Sequence, residues 1–521
     1  MRHLLAAAAI ALALTGCATN PVTGKKELHM VSEAQEIQIG EQQYGPGRQS
    51  QGGDYVTDPK VTEYVLQVGN RLAAAADRKL PYEFVVVNDG SLNAWALPGG
   101  KIAVNRGLLV ELNNEAELAA VVGHEIVHAA ARHGAQQMEK GQFLQLGSAI
   151  ATIAAAAYGG GALGDVVGQS SAIGTQAIQA KFGRDDELEA DRYGMKYMKG
   201  VGYDLQSAVS LQELFVRKFE EGKDQDWMTG LFASHPPSRE RVAANQRTMA
   251  ELGGPGGDQG RDRYMAAIGG LKNDAPAYQK FDEAMKAASK KEFATARKLA
   301  AEASKMVPRE SRFYGLLGEL EMVDKDYKSA LGYFNKANQL DPNYFKPMVQ
   351  AGMANYELGN KAAAEPLLKR SMDLLPSIPG AYYLGRVYED QGNTAEAVKL
   401  YKAVAGTKSQ LGKDAMTRLA RLDLAQNPET YLAIKPQMDN QGRVWLQVGN
   451  RTSVPITGVT IVVAVVNQSG QAVYGPARIG TGDDQVPPGQ AINLQTPLGP
   501  FSSGDVLSAV RWKVESARLA Q

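Results

Sequence analysis

The spacing of apolar residues divides the chain into segments with different expected structures. From about residue 31 to 250, helical periods alternate with short apolar runs such as 84–87. This pattern predicts a mainly helical domain that contains a few strands. A glycine-rich run at 253–257 breaks any helix, so we expect a linker over 251–275.

The pattern changes again further along the chain. Residues 276–425 are rich in alanine and have helical periodicity. After residue 427, β-branched residues alternate with polar ones in short runs, and turn-forming residues separate the runs. We therefore expect an α+β multidomain protein, with a mainly helical domain at 31–250, an α-solenoid at 276–425 and a small β-sandwich at 430–521.

The helical segment at 276–425 repeats with a period of about 34 residues. A glycine, an alanine, a large apolar residue and a proline recur at this spacing: Gly318, Gly352 and Gly385; Ala330, Ala364 and Ala397; Phe334, Leu368 and Tyr401; Pro308, Pro342 and Pro376. The set resembles the tetratricopeptide repeat, whose stacked helix pairs form a groove for peptides or partner segments. Alanines at 296, 300 and 303 indicate a degenerate first repeat, which makes about four. The alternative is a generic helical bundle.

The first sixteen residues have the pattern of an export signal. A basic start precedes an apolar run at 4–14, which is too short to span a bilayer, and small residues lead to Cys17. The site resembles a bacterial lipobox, which implies that the signal 1–16 is removed and that Cys17 carries lipid. With Ala18 in the next position, the resemblance implies the periplasmic side of the outer membrane, with residues 17–30 as a tether. The alternative is a plain signal peptide with an incidental cysteine.

Composition and charge narrow the possible partners. The chain has 56 basic and 56 acidic residues, so its formal charge is zero. Nucleic-acid binding relies on clustered positive charge, and we therefore expect no nucleic-acid partner. The single cysteine excludes an intramolecular disulfide and a metal cage of thiolates.

The candidate chemistry lies in the sequence His124-Glu125-Ile126-Val127-His128. On a helix, residues four apart project from the same face, so the two imidazoles can hold one Zn²⁺. Glu125 lies to the side of that pair and can take a proton from an attacking water. The pattern His-Glu-x-x-His also occurs by accident, and the alternative is an amphipathic helix whose histidines have no metal.

A catalytic zinc site needs a third protein ligand. On a continuous helix His133 lies about 900° beyond His124, on the opposite side, so we expect it to be a residue near the helix end and not a ligand. Glu187 and Asp191 lie four apart in a predicted helix. We expect Glu187 to be the third ligand and Asp191 to accept the second N–H of a ligand histidine. The alternative is a solvated acidic helix.

These motifs together resemble the gluzincin metallopeptidases of the HtpX and CaaX-prenyl-protease family, peptidase family forty-eight. Two further segments agree with the resemblance: Asn93 to Gly100, and Ser234-His235-Pro236-Pro237 with Arg241. The resemblance covers roughly residues 20–250, and the order of signal, protease and repeats is similar to that of the periplasmic BepA group. The C-terminal β-unit departs from that group, so its partners are not carried over.

The resemblance implies roles for further residues. Asn93, Ala94, Trp95 and Ala96 would lie on an edge strand that aligns a peptide substrate, although Trp95 also suits a core position. His235 would lie at the metal. It would either complete the coordination and keep the enzyme latent, or assist catalysis by donating to the transition-state oxyanion; a third possibility is a turn cap. The apolar segment 143–163 would be a lid, or a membrane contact.

We therefore expect a zinc endopeptidase with one Zn²⁺ per chain, anchored by lipid to the periplasmic leaflet of the outer membrane. Its expected substrates are unfolded or misassembled envelope proteins, and its repeats would bind substrates or the envelope assembly machinery. The alternative is a latent or inactive zinc-stabilised chaperone or assembly factor that binds partners through its repeats.

Overall fold

The structure is a computed structural model, and it describes residues 17–28, 30–139, 182–221 and 234–520. The predicted signal at 1–16 and the apolar segment 143–163 lie outside these residues. Two compact units divide the described chain: the first runs up to Pro376 and the second begins at Ser377. No helix in the described part of the chain has the length and apolar character needed to cross a membrane.

The first unit begins with an antiparallel pair of short strands and continues into helices around a three-stranded sheet. In chain order up to residue 251, the elements are β1 (Cys17–Thr19), β2 (Lys26–Leu28), α1 (Glu33–Ser50), α2 (Pro59–Ala73), β3 (Glu83–Val87), β4 (Ala94–Leu97), β5 (Lys101–Asn105), α3 (Arg106–Glu111), α4 (Glu115–Ala130), α5 (His133–Glu139), α6 (Arg184–Gly200), α7 (Gln206–Glu221) and α8 (Arg239–Glu251).

The segment predicted as a tether at 17–30 is instead the β1–β2 hairpin. The side-chain oxygen of Asn20 accepts hydrogen bonds from the N–H groups of Val22 and Thr23, which closes the turn. The amide of the same side chain donates to the carbonyl of Ala131 at 3.2 Å, just beyond the end of α4. The buried asparagine at the turn thus attaches the hairpin to the domain.

The sheet has the order β3–β5–β4. Strand β5 is central, parallel to β3 and antiparallel to β4, and Ala103 pairs with Val85 on one side and Trp95 on the other. Helix α2 packs on β3, where a Cβ at Gly69 would come within 2.5 Å of the Phe84 ring. Helix α4 packs against α2, α6, α7 and β4, which explains why it is buried on nearly all sides.

Six further helices complete the first unit. They are α9 (Arg261–Ser289), α10 (Phe293–Met306), α11 (Ser311–Val323), α12 (Tyr327–Leu340), α13 (Phe345–Glu357) and α14 (Lys361–Leu374). The linker predicted over 251–275 is shorter than expected. The last glycine before helix α9 is Gly260, and the following Tyr264, Ile268 and Leu271 form an apolar face that is buried as part of α9.

The repeated glycines lie where two helices of a pair approach closely. A Cβ at Gly318 in α11 would lie 2.4 Å from the Phe334 ring of α12, and one at Gly352 in α13 would lie 2.7 Å from Leu368 of α14. Only a glycine fits at these positions without displacing the large residue opposite, which accounts for the period seen in the sequence.

The second unit contains three helices followed by two antiparallel three-stranded sheets. The elements are α15 (Ile378–Asp390), α16 (Thr394–Ala405), α17 (Gln410–Asp423), β6 (Leu432–Met438), β7 (Val444–Asn450), β8 (Ile456–Val466), β9 (Ala472–Gly480), β10 (Ala491–Gln495) and β11 (Val510–Leu519). The sheet orders are β10–β7–β6 and β11–β8–β9. In β7 and β8 alternate residues are buried, as the period-2 pattern predicts.

Candidate active site

The candidate site is built on helix α4. The Asn114 side chain caps the helix by accepting from the N–H of Glu117, while the Glu117 carboxylate accepts from the N–H of Asn113 at 2.7 Å. His124 and His128 lie one turn apart on the same face, with ring centroids 4.6 Å apart. Both rings are buried, so an unpaired nitrogen would be costly there.

A close helix crossing brings the acidic helix to this face. Gly123 of α4 meets Gly194 of α6, and a Cβ at Gly194 would lie 3.0 Å from the backbone nitrogen of His124. With no side chain between the two backbones, the first turns of α6 reach the histidines. Glu187 and Asp191 are both buried at this crossing.

Four side chains converge on one point: His124, His128, Glu187 and His235. His124 Nε2 is 2.9 Å from His128 Nε2 and 3.3 Å from His235 Nδ1. Glu187 Oε1 is 3.4 Å from His128 Nε2 and 2.9 Å from His235 Nδ1. Ligands about 2.1 Å from a tetrahedral zinc are separated by about 3.4 Å. The nitrogen and carboxylate donors therefore fit a zinc ion both in type and in spacing.

Asp191 and Arg241 support this group from behind. Asp191 Oδ1 lies 2.9 Å from His124 Nδ1, the nitrogen that faces away from the converging atoms. Arg241 donates two hydrogen bonds of 2.7 Å to Asp191, and its Nη1 lies 2.8 Å from Glu187 Oε2. Such contacts fix the orientation of a ligand histidine. Sequence reasoning gave Arg241 no role; its place five residues after Pro236 in the motif was the only signal.

Burial and neighbouring charges have opposing effects on the pKa values of several of these groups. Burial lowers the pKa of His124, but the carboxylates of Glu187 and Asp191 outweigh it and raise that pKa to about 10. Burial lowers the pKa of His128 well below its usual value. Although burial acts in the other direction, His235, Arg241 and His124 hold the pKa of Glu187 well below its ordinary range. The Arg241 guanidinium likewise outweighs burial and lowers the pKa of Asp191.

His133 is not on the opposite side of the helix, as a continuous α4 would require. The helix ends at Ala130, and Arg132 takes a left-handed conformation with φ 66°, so that His133 begins the separate helix α5. The chain turns back, and His133 Nδ1 lies 2.8 Å from His128 Nδ1. The geometry of a continuous helix does not apply to His133, because Arg132 adopts this turning conformation although it is not a glycine. His133 contacts the nitrogen of His128 that faces away from Glu187.

Phe182 is a second residue that the sequence did not single out. Its ring stacks on His128 with centroids 3.9 Å apart and an interplanar angle of 22°. Phe182 packs against the face of the His128 imidazole, and His133 contacts its edge. Glycine at 183 follows it as the helix cap of α6, and no pattern in the sequence pointed to the ring contact.

Glu125 lies beside the converging atoms without being one of them. Its Oε1 is 3.7 Å from His235 Nε2, and its Oε2 is buried with no hydrogen-bond partner among the described residues. Burial raises the pKa of this carboxyl. A buried carboxylate oxygen is costly to leave without a hydrogen bond, so this one is suited to contact a further group at the site.

Of the residues expected to bind substrate, Ala94, Trp95 and Ala96 lie on β4, which is an edge of its sheet, and Asn93 lies just before it. The backbone of Asn93 accepts from the N–H of Asn105, and Ala94, Trp95 and Ala96 pair with β5 through one side of the strand. No strand in the described ranges pairs with the other side of β4. Trp95 is buried, and its indole N–H donates to the side chain of Gln51 at 3.1 Å.

Comparison with known proteins agrees with this geometry. Residues 59–248 match peptidase family M48, and residues 281–345 and 349–411 match the tetratricopeptide repeat. The match to the repeats confirms that interpretation of the 34-residue period. Peptidase family M48 is the family forty-eight that the motifs resemble, and zinc is the metal that its members use, which suits the four converging side chains.

Three relatives show how far the likeness extends. The chain is 28% identical to the beta-barrel assembly-enhancing protease of Yersinia pestis over 63% of this chain and 72% of that protein. It is 29% identical to the beta-barrel assembly-enhancing protease of Escherichia coli (strain K12) over 43% of this chain and 46% of that protein. The mitochondrial metalloendopeptidase OMA1 of Schizosaccharomyces pombe is 34% identical over 36% of this chain and 53% of its own length.

The chain thus spans only about half the length of two of these relatives. The family matches at 59–248, 281–345 and 349–411 cover both the candidate site and the repeats. The family match, the motifs and the order of the domains agree. The chain therefore carries a peptidase family M48 domain followed by tetratricopeptide repeats.

Proposed function

We propose that this protein is a zinc-dependent endopeptidase. The observation that carries the proposal is the convergence of His124, His128 and Glu187 beside the unpaired carboxylate oxygen of Glu125. These three residues would hold the ion, and Asp191 and Arg241 would keep His124 and Glu187 in place. When bound, zinc supplies a Lewis acid that polarises a peptide carbonyl and makes water more acidic.

The chain's own residues supply the proton transfers. Glu125 accepts the proton of the attacking water and then delivers it to the departing amine, which needs a carboxylate close to the reacting atoms but not coordinated. Burial of Glu125 strengthens this role, because its raised pKa makes it a better proton acceptor. Asn93 and the strand residues Ala94, Trp95 and Ala96 would align an extended peptide next to α4, along the edge of β4 that no described strand pairs with.

His235 admits two roles within this proposal. Its Nδ1 faces Glu187 and His124, while its Nε2 faces Glu125. As a fourth ligand it would close the site and hold the enzyme latent; as a donor it would stabilise the oxyanion of the transition state. A closed site is also what an inactive, zinc-stabilised assembly factor would have, but the relatives named as proteases favour the enzyme.

The proposed substrates are unfolded or misassembled envelope proteins. Two relatives carry the name beta-barrel assembly-enhancing protease, and the repeats provide a surface suited to substrate segments or to assembly machinery. We further propose that lipid on Cys17 anchors the protein to the periplasmic leaflet of the outer membrane. The alternating burial in β7 and β8 supports a β-sandwich made by the two C-terminal sheets.

The test is the Glu125→Gln variant. This variant keeps the size of the side chain and all the ligands, so we expect it to bind one zinc per chain. We expect it to cleave an unfolded protein at least about 100-fold more slowly than native protein does. Zinc content and cleavage are measured on the same preparations. Equal cleavage by the two proteins would contradict the mechanism. Native protein that holds zinc and cleaves nothing would instead favour the assembly factor.

A further inference from the structure

A cavity of about 40 Å³ lies beside Glu125, enclosed by helices α4, α6, α7 and α8. Its walls are mostly apolar and include Val121, Met195, Met198, Ala208, Leu211 and Phe215. His124, Glu125 and His235 line its other side, so it opens directly next to the position where a scissile peptide would sit. A cavity of this size holds about three waters or one small side chain.

Two amide side chains at this cavity each have an oxygen without a hydrogen-bond partner among the described residues. Gln212 of α7 and Asn245 of α8 both line it, and both are more than nine-tenths buried. The side-chain oxygens Gln212 Oε1 and Asn245 Oδ1 lack a hydrogen bond within the part of the chain that the structure describes. An unsatisfied buried amide destabilises a fold, so amides kept in an apolar cavity indicate that something else must pair with them.

The charges around the cavity limit what that partner is. Arg241 is already held by Asp191 and Glu187, so it offers little to an incoming acid. The carboxylate of Glu125 borders the cavity and repels a second one. A carboxamide can both donate and accept, which matches a hydroxyl or another carboxamide, whereas an aliphatic group of the same size would leave both amides unpaired.

We propose that this cavity is a specificity pocket. It takes a small substrate side chain that ends in a hydroxyl or carboxamide, such as Thr, Ser or Asn, next to the scissile bond. Gln212 and Asn245 are its specificity-determining residues. The inference rests on the proposed endopeptidase activity and adds the class of residue at which the enzyme cuts. The methionines of the wall allow the pocket to adjust to the side chain that enters.

The experiment compares peptides that differ only by Thr or Val, placed in turn on each side of the scissile bond. Thr and Val have the same shape, so the pair isolates the hydroxyl. For native protein loaded with zinc we expect kcat/KM to be about 10-fold or more higher for Thr at one of the two positions. In Gln212→Leu and in Asn245→Leu the preference should fall to about 2-fold or less. Glu213→Leu, at an exposed position of the same helix, is the matched control and should keep the preference.

The melting temperature provides a readout that is independent of cleavage. Because the side-chain oxygen of each amide lacks a partner in the part of the chain that the structure describes, a leucine of similar size should leave the melting temperature unchanged or raise it. Equal kcat/KM for Thr and Val in native protein, or a preference that survives both leucine variants, would overturn the pocket. If native protein cleaves no peptide, the proposed function fails. The melting temperatures then test the pocket by themselves, and a lower melting temperature in both leucine variants would overturn it.

Discussion

The two histidines of the candidate metal site are held at their outer nitrogens by different partners. His124 faces the carboxylate of Asp191, whereas His128 faces the imidazole ring of His133. His133 in turn has its Nε2 3.3 Å from Glu189 Oε1. An imidazole that coordinates through Nε2 carries its proton on Nδ1, so each partner must accept that proton's hydrogen bond.

Replacement of His133 tests whether this contact matters. We expect His133→Phe to lower the zinc affinity about 10- to 100-fold, because Phe fills the space but cannot accept from His128. His133→Gln, which keeps an acceptor, should retain most of the affinity. Affinity is measured by competition with a chelator, and the melting temperature of the metal-free protein shows that both variants fold. A zinc affinity within about 2-fold of native in folded His133→Phe would contradict this role.

Asp341, after helix α12, gives a pH-dependent prediction. Burial raises its pKa to about 6, so its ionisation opposes folding at neutral pH. The folded state binds this proton more tightly than the unfolded state; the penalty is therefore full above about pH 6 and absent below the ordinary value near 4. Asp341→Asn keeps the side-chain oxygen that accepts from the N–H of Asn343. We expect it to stabilise the fold by on the order of 2 kcal/mol at pH 7.5.

The check is the unfolding free energy of Asp341→Asn at pH 7.5 and at pH 4. The gain should be present at the first pH and absent at the second. Asp326→Asn is the control: hydrogen bonds from Ser329 lower the pKa of this exposed cap residue, so its change should give no gain at pH 7.5. A gain for Asp341→Asn that is equal at both pH values would contradict the assignment.

Helices α4 and α6 approach closely only because both have glycine at the crossing. We expect Gly194→Ala to push α6 away from His124, since its Cβ would meet backbone atoms at 3.0 and 3.1 Å. Zinc affinity and cleavage should both fall by about 10-fold or more, because Glu187 and Asp191 move with the helix. Gly200→Ala in the same helix is the control, since its Cβ would meet only Ala75 at an ordinary 3.7 Å. Equal zinc affinity in the two variants would contradict this explanation.

The same crossing shows what sequence reasoning can and cannot reach. The spacing of His124 and His128 follows from helical periodicity alone, so their shared face could be predicted. Glu187 was expected as the third ligand because a zinc site needs one and because Glu187 and Asp191 lie four residues apart. The glycine crossing that brings Glu187 to the histidines could not be predicted, because no local rule brings two glycines sixty or more residues apart into contact. The turn at Arg132 was not predicted, because nothing in the sequence pattern indicates an arginine with a left-handed backbone conformation. The repeats were found because their glycines recur at a fixed period.

Within the first unit, the early repeats are joined to the peptidase fold by buried polar contacts. Glu310, just before α11, accepts from Thr57, Asn88 and Tyr278 at 2.6–3.1 Å and is fully buried. Gln49 of α1 makes two hydrogen bonds with the backbone around α13, of 2.7 and 2.8 Å. Removal of a buried carboxylate that accepts hydrogen bonds in this way greatly reduces the stability of a fold. Helices α11 to α14 are therefore held in a fixed position relative to the candidate active site.

Zinc stoichiometry in native protein and in Glu187→Ala is the most direct test of the proposed peptidase, because its chemistry depends on one ion held by side chains from two helices. Native protein should contain one zinc per chain after dialysis, and Glu187→Ala should contain much less than one. Asp185→Ala, an exposed position in the same helical turn, should match native protein. A native protein without stoichiometric zinc, or a Glu187→Ala variant that holds zinc as tightly as native, would contradict the metal centre.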